Sequence, residues 1–184
     1  MTKAAIFDAS GFPTAFYDPS FQTVPDGAVE ISDEQWQEFL GNQGARYWNG
    51  ADVVVYMPPL DTLRAAKLYD LSASCAAEIM GGYTSSALGS PHLYPSRPTD
   101  QSNMQASVIR SLLPGLAPDW MTPFWCADGA GEWSRRDHSA AQIQQAGQDG
   151  VTAVLAAQDK LAALSAEVAV AATAEAIAAV IWTA

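Results

Sequence analysis

The stretch that most constrains this fold is residues 82–103, where glycine, proline, serine and tyrosine are concentrated between two helix-like segments. Alternation over residues 83–87 predicts one short strand, and residues 91–94 predict its partner. Pro95 and Pro98 end the second strand, because proline cannot donate a hydrogen bond to a ladder. The stretch therefore predicts a β-hairpin at the centre of the main domain.

A helix is predicted directly after this hairpin. Thr99 is the expected N-cap, and Asp100 adds negative charge in the first turn, where the helix dipole favours it. The helix should end near Leu113, before Pro114 and Gly115. Its buried stripe is predicted to consist of Met104, Val108, Ile109 and Leu112.

Four residues of the same stretch match the residue types of a hydrolase triad: Ser85, Ser86, His92 and Asp100. Their spacing shows no nucleophile elbow, and serine is common in turns. The structural interpretation is therefore favoured, and no catalytic residue is expected.

The length of the chain limits the number of domains, and its charge limits the kinds of partner. A chain of 184 residues can form one medium domain or two small ones, and Pro58 with Pro59 marks the predicted boundary between residues 1–57 and residues 60–184. The net charge of −11 argues against nucleic acid or an anionic membrane as partner and favours proteins. Cys75 and Cys126 make neither a disulfide framework nor a zinc site, so no metal or cofactor is expected and a reducing cytoplasm is the simplest compartment.

The predicted fold class is α+β. The N-terminal part is predicted as a ββαββ unit: a hairpin over residues 3–17, a helix that starts with a Ser32/Gln35 capping box, and a second hairpin. The helix should bury Trp36, Phe39 and Leu40 on one face. The second hairpin is expected to turn at Asn49-Gly50 in a type I′ turn.

The C-terminal part is predicted as helix, hairpin, helix, hairpin and long helix. Its second hairpin pairs residues 121–127 with residues 132–136. Trp120, Phe124, Trp125 and Trp133 crowd there, and core packing beneath the hairpin is favoured over a ligand cage. His138 is expected to be solvated or to cap a helix rather than to act as a base or ligand.

One long helix is predicted over residues 140–184, with Gly147 and Gly150 as the candidate sites of an interruption. A heptad-like seam runs along it, formed by Val154, Ala157, Leu161, Leu164, Val168 and Ala171. The proximal part of this helix is expected to pack on the domain's own helices. The distal, apolar end is expected to contact another chain, as a homo-oligomer or with a different partner, and comprises Ile177, Val180, Ile181 and Trp182.

Two stretches resemble known families, both from tailed bacteriophages. Residues 25–36 (PDGAVEISDEQW), with Leu40 and Trp48, are similar to the N-terminal region of phage tail fibre assembly proteins. The positions that carry this likeness are Pro25, Ala28, Ile31, Trp36 and Leu40.

The second stretch covers most of residues 60–184. It resembles an uncharacterised domain that forms the C-terminal part of phage tail and tail fibre assembly-like proteins. The positions that carry this likeness are Tyr83, Ser85, Leu88, Gly89, Tyr94, Asp100, Gln101 and Asn103, followed by residues 122–126 (TPFWC).

These resemblances imply a chaperone-like binding protein that acts on the C-terminal end of a phage tail fibre. It would work in the host cell cytoplasm during assembly. A structural fibre or baseplate component retained in the virion tail is the alternative. An enzyme acting on surface glycans is a third hypothesis, but it needs two suitably placed carboxylates, and most acids of the chain fall in turns or at helix starts.

Overall fold

The computed structural model describes residues 2–183 and confirms the α+β class. The chain forms two compact units, Met1–Pro59 and Leu60–Ala184, here called the N-terminal unit and the C-terminal unit. The division falls at the proline pair.

The N-terminal unit contains five strands and one helix in the part described. In chain order these are β1 (Thr2–Phe7), β2 (Pro13–Tyr17), β3 (Val29–Ser32), α1 (Asp33–Gly41), β4 (Arg46–Trp48) and β5 (Val53–Val55). The first three strands form an antiparallel sheet in the order β2-β1-β3, and β4 pairs with β5. The unit is therefore βββαββ, and the ββαββ prediction is wrong by one strand, because β3 pairs with β1.

Helix α1 begins with the predicted capping box: Ser32 Oγ accepts from Gln35 N at 3.1 Å, and Gln35 Oε1 accepts from Ser32 N at 2.8 Å. Phe39 is buried in the core with Ala5 and Ile31, and Trp36 packs partly buried beside it. Leu40, in contrast, is 40% exposed. The prediction of Leu40 in the buried face is wrong, because the sheet covers only the part of α1 around Phe39.

The turn between β4 and β5 is also not the predicted one. Trp48 pairs with Val53, so the loop spans residues 49–52 and is not a two-residue type I′ turn. No residue other than glycine has a positive φ in the part described, whereas a type I′ turn would need one at Asn49. Instead, Asn49 Oδ1 accepts from the backbone nitrogens of Ala51 and Asp52, both at 2.9 Å.

The C-terminal unit contains four helices and four strands in the part described. They are α2 (Leu60–Met80), β6 (Tyr83–Ser85), β7 (His92–Tyr94), α3 (Pro98–Ser111), β8 (Met121–Ala127), β9 (Trp133–Ser139), α4 (Ala140–Val170) and α5 (Ala174–Ala179). Both predicted hairpins form, and they join into one antiparallel sheet in the order β6-β7-β8-β9. The link between the hairpins is the pairing of Leu93 with Ala127.

Helix α3 begins earlier than predicted and ends at Ser111, near the predicted end. Its N-cap is Arg97, not Thr99, and Pro98 is the first helical residue. Asp100 Oδ2 accepts from Arg97 N at 3.1 Å and so satisfies a free backbone donor. Met104 is buried and Val108 packs against the core, but Ile109 and Leu112 are exposed, so the predicted stripe is only half correct.

Helix α4 is continuous through Gly147 and Gly150, where an interruption was predicted. Both glycines permit close packing instead: a Cβ at Gly147 would lie 2.7 Å from Val108 Cγ2, and one at Gly150 would lie 2.8 Å from Tyr83 Cζ. The predicted single helix to Ala184 is wrong, since α4 ends at Val170 and α5 starts after Thr173.

The chain after α4 packs on its own unit. Ile177 is 2% exposed, and Val180 joins Leu71 and Val168 in a second hydrophobic cluster. Leu161 and Leu164 of the heptad-like seam pack against the same cluster. The seam therefore faces α2 within the chain, and Ile177 and Val180 are not available as the predicted contacts with another chain.

Candidate functional site

Buried, hydrogen-bonded polar groups lie on the inner side of the four-stranded sheet β6-β7-β8-β9. Tyr94 and His138 are both fully buried, and Tyr94 Oη lies 2.7 Å from His138 Nε2. His138 Nδ1 lies 2.8 Å from the Arg136 carbonyl oxygen, which can only accept, so Nδ1 carries the proton. In the neutral ring Nε2 is then the acceptor, and the Tyr94 hydroxyl donates to it.

Burial lowers the pKa of His138, although the carbonyl of Arg136 opposes this shift. The expectation of a solvated or capping histidine is therefore wrong. Strand β9 extends to Ser139, beyond the predicted end at Arg136, and this places His138 at an inward position two residues further on. The period-two alternation of Ser134, Arg136 and His138 was the signal that could have found it.

This geometry predicts an acid-sensitive stability. The folded state keeps His138 neutral while the unfolded chain binds a proton, so the free energy of unfolding should fall as the pH drops below about 6.5. The slope for one such group approaches about 1.4 kcal/mol per pH unit. We expect His138→Gln, whose amide oxygen can accept from Tyr94, to show a shallower fall between pH 7 and 5 in urea titrations. Equal slopes in the two proteins would contradict a neutral buried His138.

The four residues with triad chemistry do not assemble into one. Ser85 Oγ donates to Asp149 Oδ2 at 2.5 Å, and His92 Nδ1 donates to the Ser90 carbonyl at 2.8 Å. Asp100 is engaged at the start of α3. Ser85 and His92 are cross-strand neighbours, yet each has a different partner. The arrangement supports the hairpin and its contact with α4.

The two cysteines are free and buried, and burial raises the pKa of the Cys126 thiol. Within residues 2–183, no cluster of three or more His, Cys, Asp or Glu side chains could hold a metal ion. No helix in the same range is long and apolar enough to cross a membrane.

The outer face of the four-stranded sheet carries exposed apolar side chains. The pattern in β8 alternates, so Phe124 and Cys126 point into the core while Trp125 is 51% exposed on the other side. Trp133 on β9 is 47% exposed, and it pairs with Ala127, which in turn pairs with Leu93. We call this surface, formed by Leu93, Met121, Trp125 and Trp133, the tryptophan face. The core prediction holds for Phe124 and for Trp120, which packs partly buried against the core, and it is wrong for Trp125 and Trp133.

A crevice lies between the end of α2, strand β6 and the middle of α4. Its volume is about 240 Å³. The wall on α4 is formed by small residues, including Gly150, Ala153 and Ala157, while Gly82 and Thr84 form the wall on the strand. Tyr83 also lines it, and the Tyr83 hydroxyl is buried without a hydrogen-bond partner. Burial, with the nearby Asp149 carboxylate, raises the pKa of Tyr83.

The end of the chain borders the same region. Trp182 Nε1 donates to Glu78 Oε2 at 2.8 Å, and Lys160 Nζ lies 3.1 Å from that oxygen and 4.4 Å from the Trp182 ring centroid. These contacts lower the pKa of Glu78, and the hydrogen bond from Lys160 is the largest cause. Of the four residues predicted at the apolar end, Ile181 is the one with a largely exposed side chain, at 61%.

The residues that carried the first resemblance are mostly structural. Pro25 is exposed and its carbonyl accepts from Ala28 N at 3.3 Å, which closes a turn before β3. Ile31 is buried, and the Lys3 ammonium lies 5.1 Å from the Trp36 ring centroid. Leu40 is the exception, because it is exposed beside a surface hollow.

The residues that carried the second resemblance divide into two groups. Tyr83, Ser85, Leu88 and Tyr94 belong to the hairpin and its core, and Gly89 has a φ of 89° at the reversal. On α3, Asp100 satisfies Arg97 N, and Gln101 Nε2 donates to the Ser96 carbonyl at 2.8 Å. Asn103 lies exposed on the same helix.

A family model described as a domain of unknown function, DUF4376, matches residues 62–181. The chain belongs to the DUF4376 family. The matched range begins in α2 and ends after α5, so the sheet, the crevice and the tryptophan face all lie within the DUF4376 domain. This confirms that residues 60–184 contain a domain of an uncharacterised family. Neither the curated proteins nor the solved structures gave a match.

Proposed function

We propose that this chain is a chaperone-like binding protein that assists assembly of a bacteriophage tail fibre by acting on the C-terminal end of the fibre. The observation that carries the proposal is the tryptophan face of the DUF4376 domain. In the part of the chain described, Met104 of α3 with Ile143 and Ala146 of α4 packs on the inner side of the four-stranded sheet. The other side presents half-exposed tryptophans beside Arg135. Tryptophan and arginine are the residues that most often dominate the energy of protein interfaces.

The similarity of residues 25–48 to tail fibre assembly proteins supplies the identity of the proposed partner. The negative net charge favours a protein over a nucleic acid. In this proposal the protein works in the host cytoplasm and binds the fibre before the particle is complete. The alternative, a fibre or baseplate component retained in the virion, differs in one observable, which is the presence of the chain in purified particles by mass spectrometry.

Co-expression with the fibre gene tests the proposal. We expect the fibre to co-purify with this chain, and the yield of soluble fibre trimer to fall when the chain is omitted. A fibre that trimerises equally well alone and does not co-purify would refute the chaperone function.

The tryptophan face gives a specific prediction. Replacing both Trp125 and Trp133 by alanine should weaken fibre binding by about tenfold or more, because each ring loses its contact area in the complex. The midpoint of thermal unfolding should change little, since about half of each ring is already exposed. Tyr69→Ala on α2 is the matched control, because Tyr69 is 77% exposed and lies outside the face. Equal affinity of the double variant and the control would exclude this face as the contact.

A further inference from the structure

We propose that the crevice between α2, β6 and α4 receives an extended polypeptide segment, which adds as a further strand to the free edge of β6 and places one aliphatic side chain in the cavity. The inference rests on the proposed function only for the identity of the partner, a segment of the fibre protein. The site is separate from the tryptophan face, because it lies at the edge of the sheet.

The edge of β6 is chemically open. Strand β6 has β7 on one side, and no main-chain hydrogen bond in the described part of the chain occupies its other side. Its sequence, Tyr83-Thr84-Ser85, contains no proline, lysine or bulge, which are devices that block edge pairing. The opposite edge strand, β9, carries Arg135, Arg136 and Asp137. A strand that joins this sheet therefore meets less obstruction at β6.

The cavity beside this edge has the size and lining of a side-chain socket. Its volume of about 240 Å³ leaves room for one aliphatic side chain. Ala153, Val154 and Ala157 form its apolar wall on α4, and Ile79 closes it on α2. In strand addition, main-chain hydrogen bonds supply affinity and pockets for alternate side chains supply specificity.

The polar groups around the cavity define the chemistry of the segment. The Tyr83 hydroxyl packs against Gly150 and has no partner, so a small separation of α4 from β6 breaks no hydrogen bond of that hydroxyl. A polar atom of the segment that enters the crevice would supply the acceptor that the hydroxyl lacks. Glu78 is paired with Lys160, so the Asp149 carboxylate and the net charge of −11 are the charges that disfavour an acidic segment. The segment is therefore neutral or basic.

The test uses the full chain and a capped heptapeptide of alternating threonine and valine as the probe. At millimolar concentration we expect the peptide to slow hydrogen exchange at the one amide of Thr84 and Ser85 that faces the free edge, because successive amides of a strand point to opposite edges. Side-chain docking alone would not slow this exchange. Ala153→Phe fills the socket and should weaken binding by about tenfold or more. Ala162→Phe, at an exposed position of α4 outside the cavity, should bind as the wild type does.

Tyr83→Phe covers the case in which Ala153→Phe does not fold. It removes only the unpaired hydroxyl, so the protein should remain folded while peptide affinity falls several-fold. Unchanged exchange at both Thr84 and Ser85 with the peptide, or equal affinity in all variants, would overturn the proposal. A doubled mass in light scattering that results from a dimer formed through this edge would also overturn it. If the peptide binds but the fibre does not, the strand-addition site stands and the fibre is not its partner.

Discussion

Gly82→Ala is expected to destabilise the C-terminal unit by about 3–5 kcal/mol. Gly82 has a φ of 101°, and an added Cβ would lie 2.5 Å from the carbonyl oxygen of Tyr94. That oxygen belongs to the main chain of β7, so relief requires the β6-β7 pair to separate. Separation would also displace the Tyr83 and Tyr94 rings, which stack at 5.5 Å between centroids.

Gly89→Ala is the matched control for this substitution. Gly89 has a similar φ of 89°, but nothing lies within 4 Å of its added Cβ. Its cost should be limited to the strain of a left-handed backbone, about 1–2 kcal/mol. Urea unfolding of both variants measures the difference. Equal destabilisation would show that φ strain, and not the contact with Tyr94, makes glycine necessary at position 82.

Phe39→Ala is the second substitution with a large expected effect, about 3–5 kcal/mol. Phe39 is 3% exposed and its ring lies 5.6 Å from that of Phe7 and 5.8 Å from that of Phe16. Its removal leaves a cavity in the centre of a core that has few other buried residues. This loss is of the same order as the total stability of a domain so small. We expect the N-terminal unit to unfold first, while the C-terminal unit remains folded.

The adjacent substitution Leu40→Ala provides the control, because Leu40 is 40% exposed on the same helix and should cost less than about 1 kcal/mol. Hydrogen exchange followed by mass spectrometry can assign the loss of protection to one unit. Phe39→Ala should raise exchange throughout β1, β3 and α1 without changing exchange in the four-stranded sheet of the C-terminal unit. Uniform deprotection of the whole chain would mean instead that the two units unfold cooperatively.

The pairing of β7 with β8 has consequences for binding that neither hairpin has alone. It places Leu93 of one hairpin beside Ala127 of the other, and so adds Leu93 to the face that Met121, Trp125 and Trp133 form on the second hairpin. It also leaves β6 and β9 as the two edges. The contact between the hairpins thus contributes to both surfaces that we propose for partners.

The local elements could be predicted from sequence because their signals act over a few residues. The Ser32/Gln35 capping box begins α1, and alternation with turn residues gives both hairpins of the C-terminal unit. These signals follow from hydrogen bonds and backbone preferences within one turn or hairpin. The candidate site could not be predicted in this way. One of its walls comes from α4, which is distant in sequence from α2 and β6, the elements that form the other walls.

The sequence by itself determined the α+β class, the position of most helices and strands, and the periodic seam that α4 buries. Only the tertiary structure decided which partner each apolar face meets. The same seam can pack in cis or in trans, and it packs in cis because α4 ends at Val170 and the following segment lays Ile177 and Val180 on α2. Likewise, an extended sequence does not specify which strand it will join. His138 became a buried partner of Tyr94, and Trp125 an exposed ring, because burial depends on contacts between segments far apart in the chain.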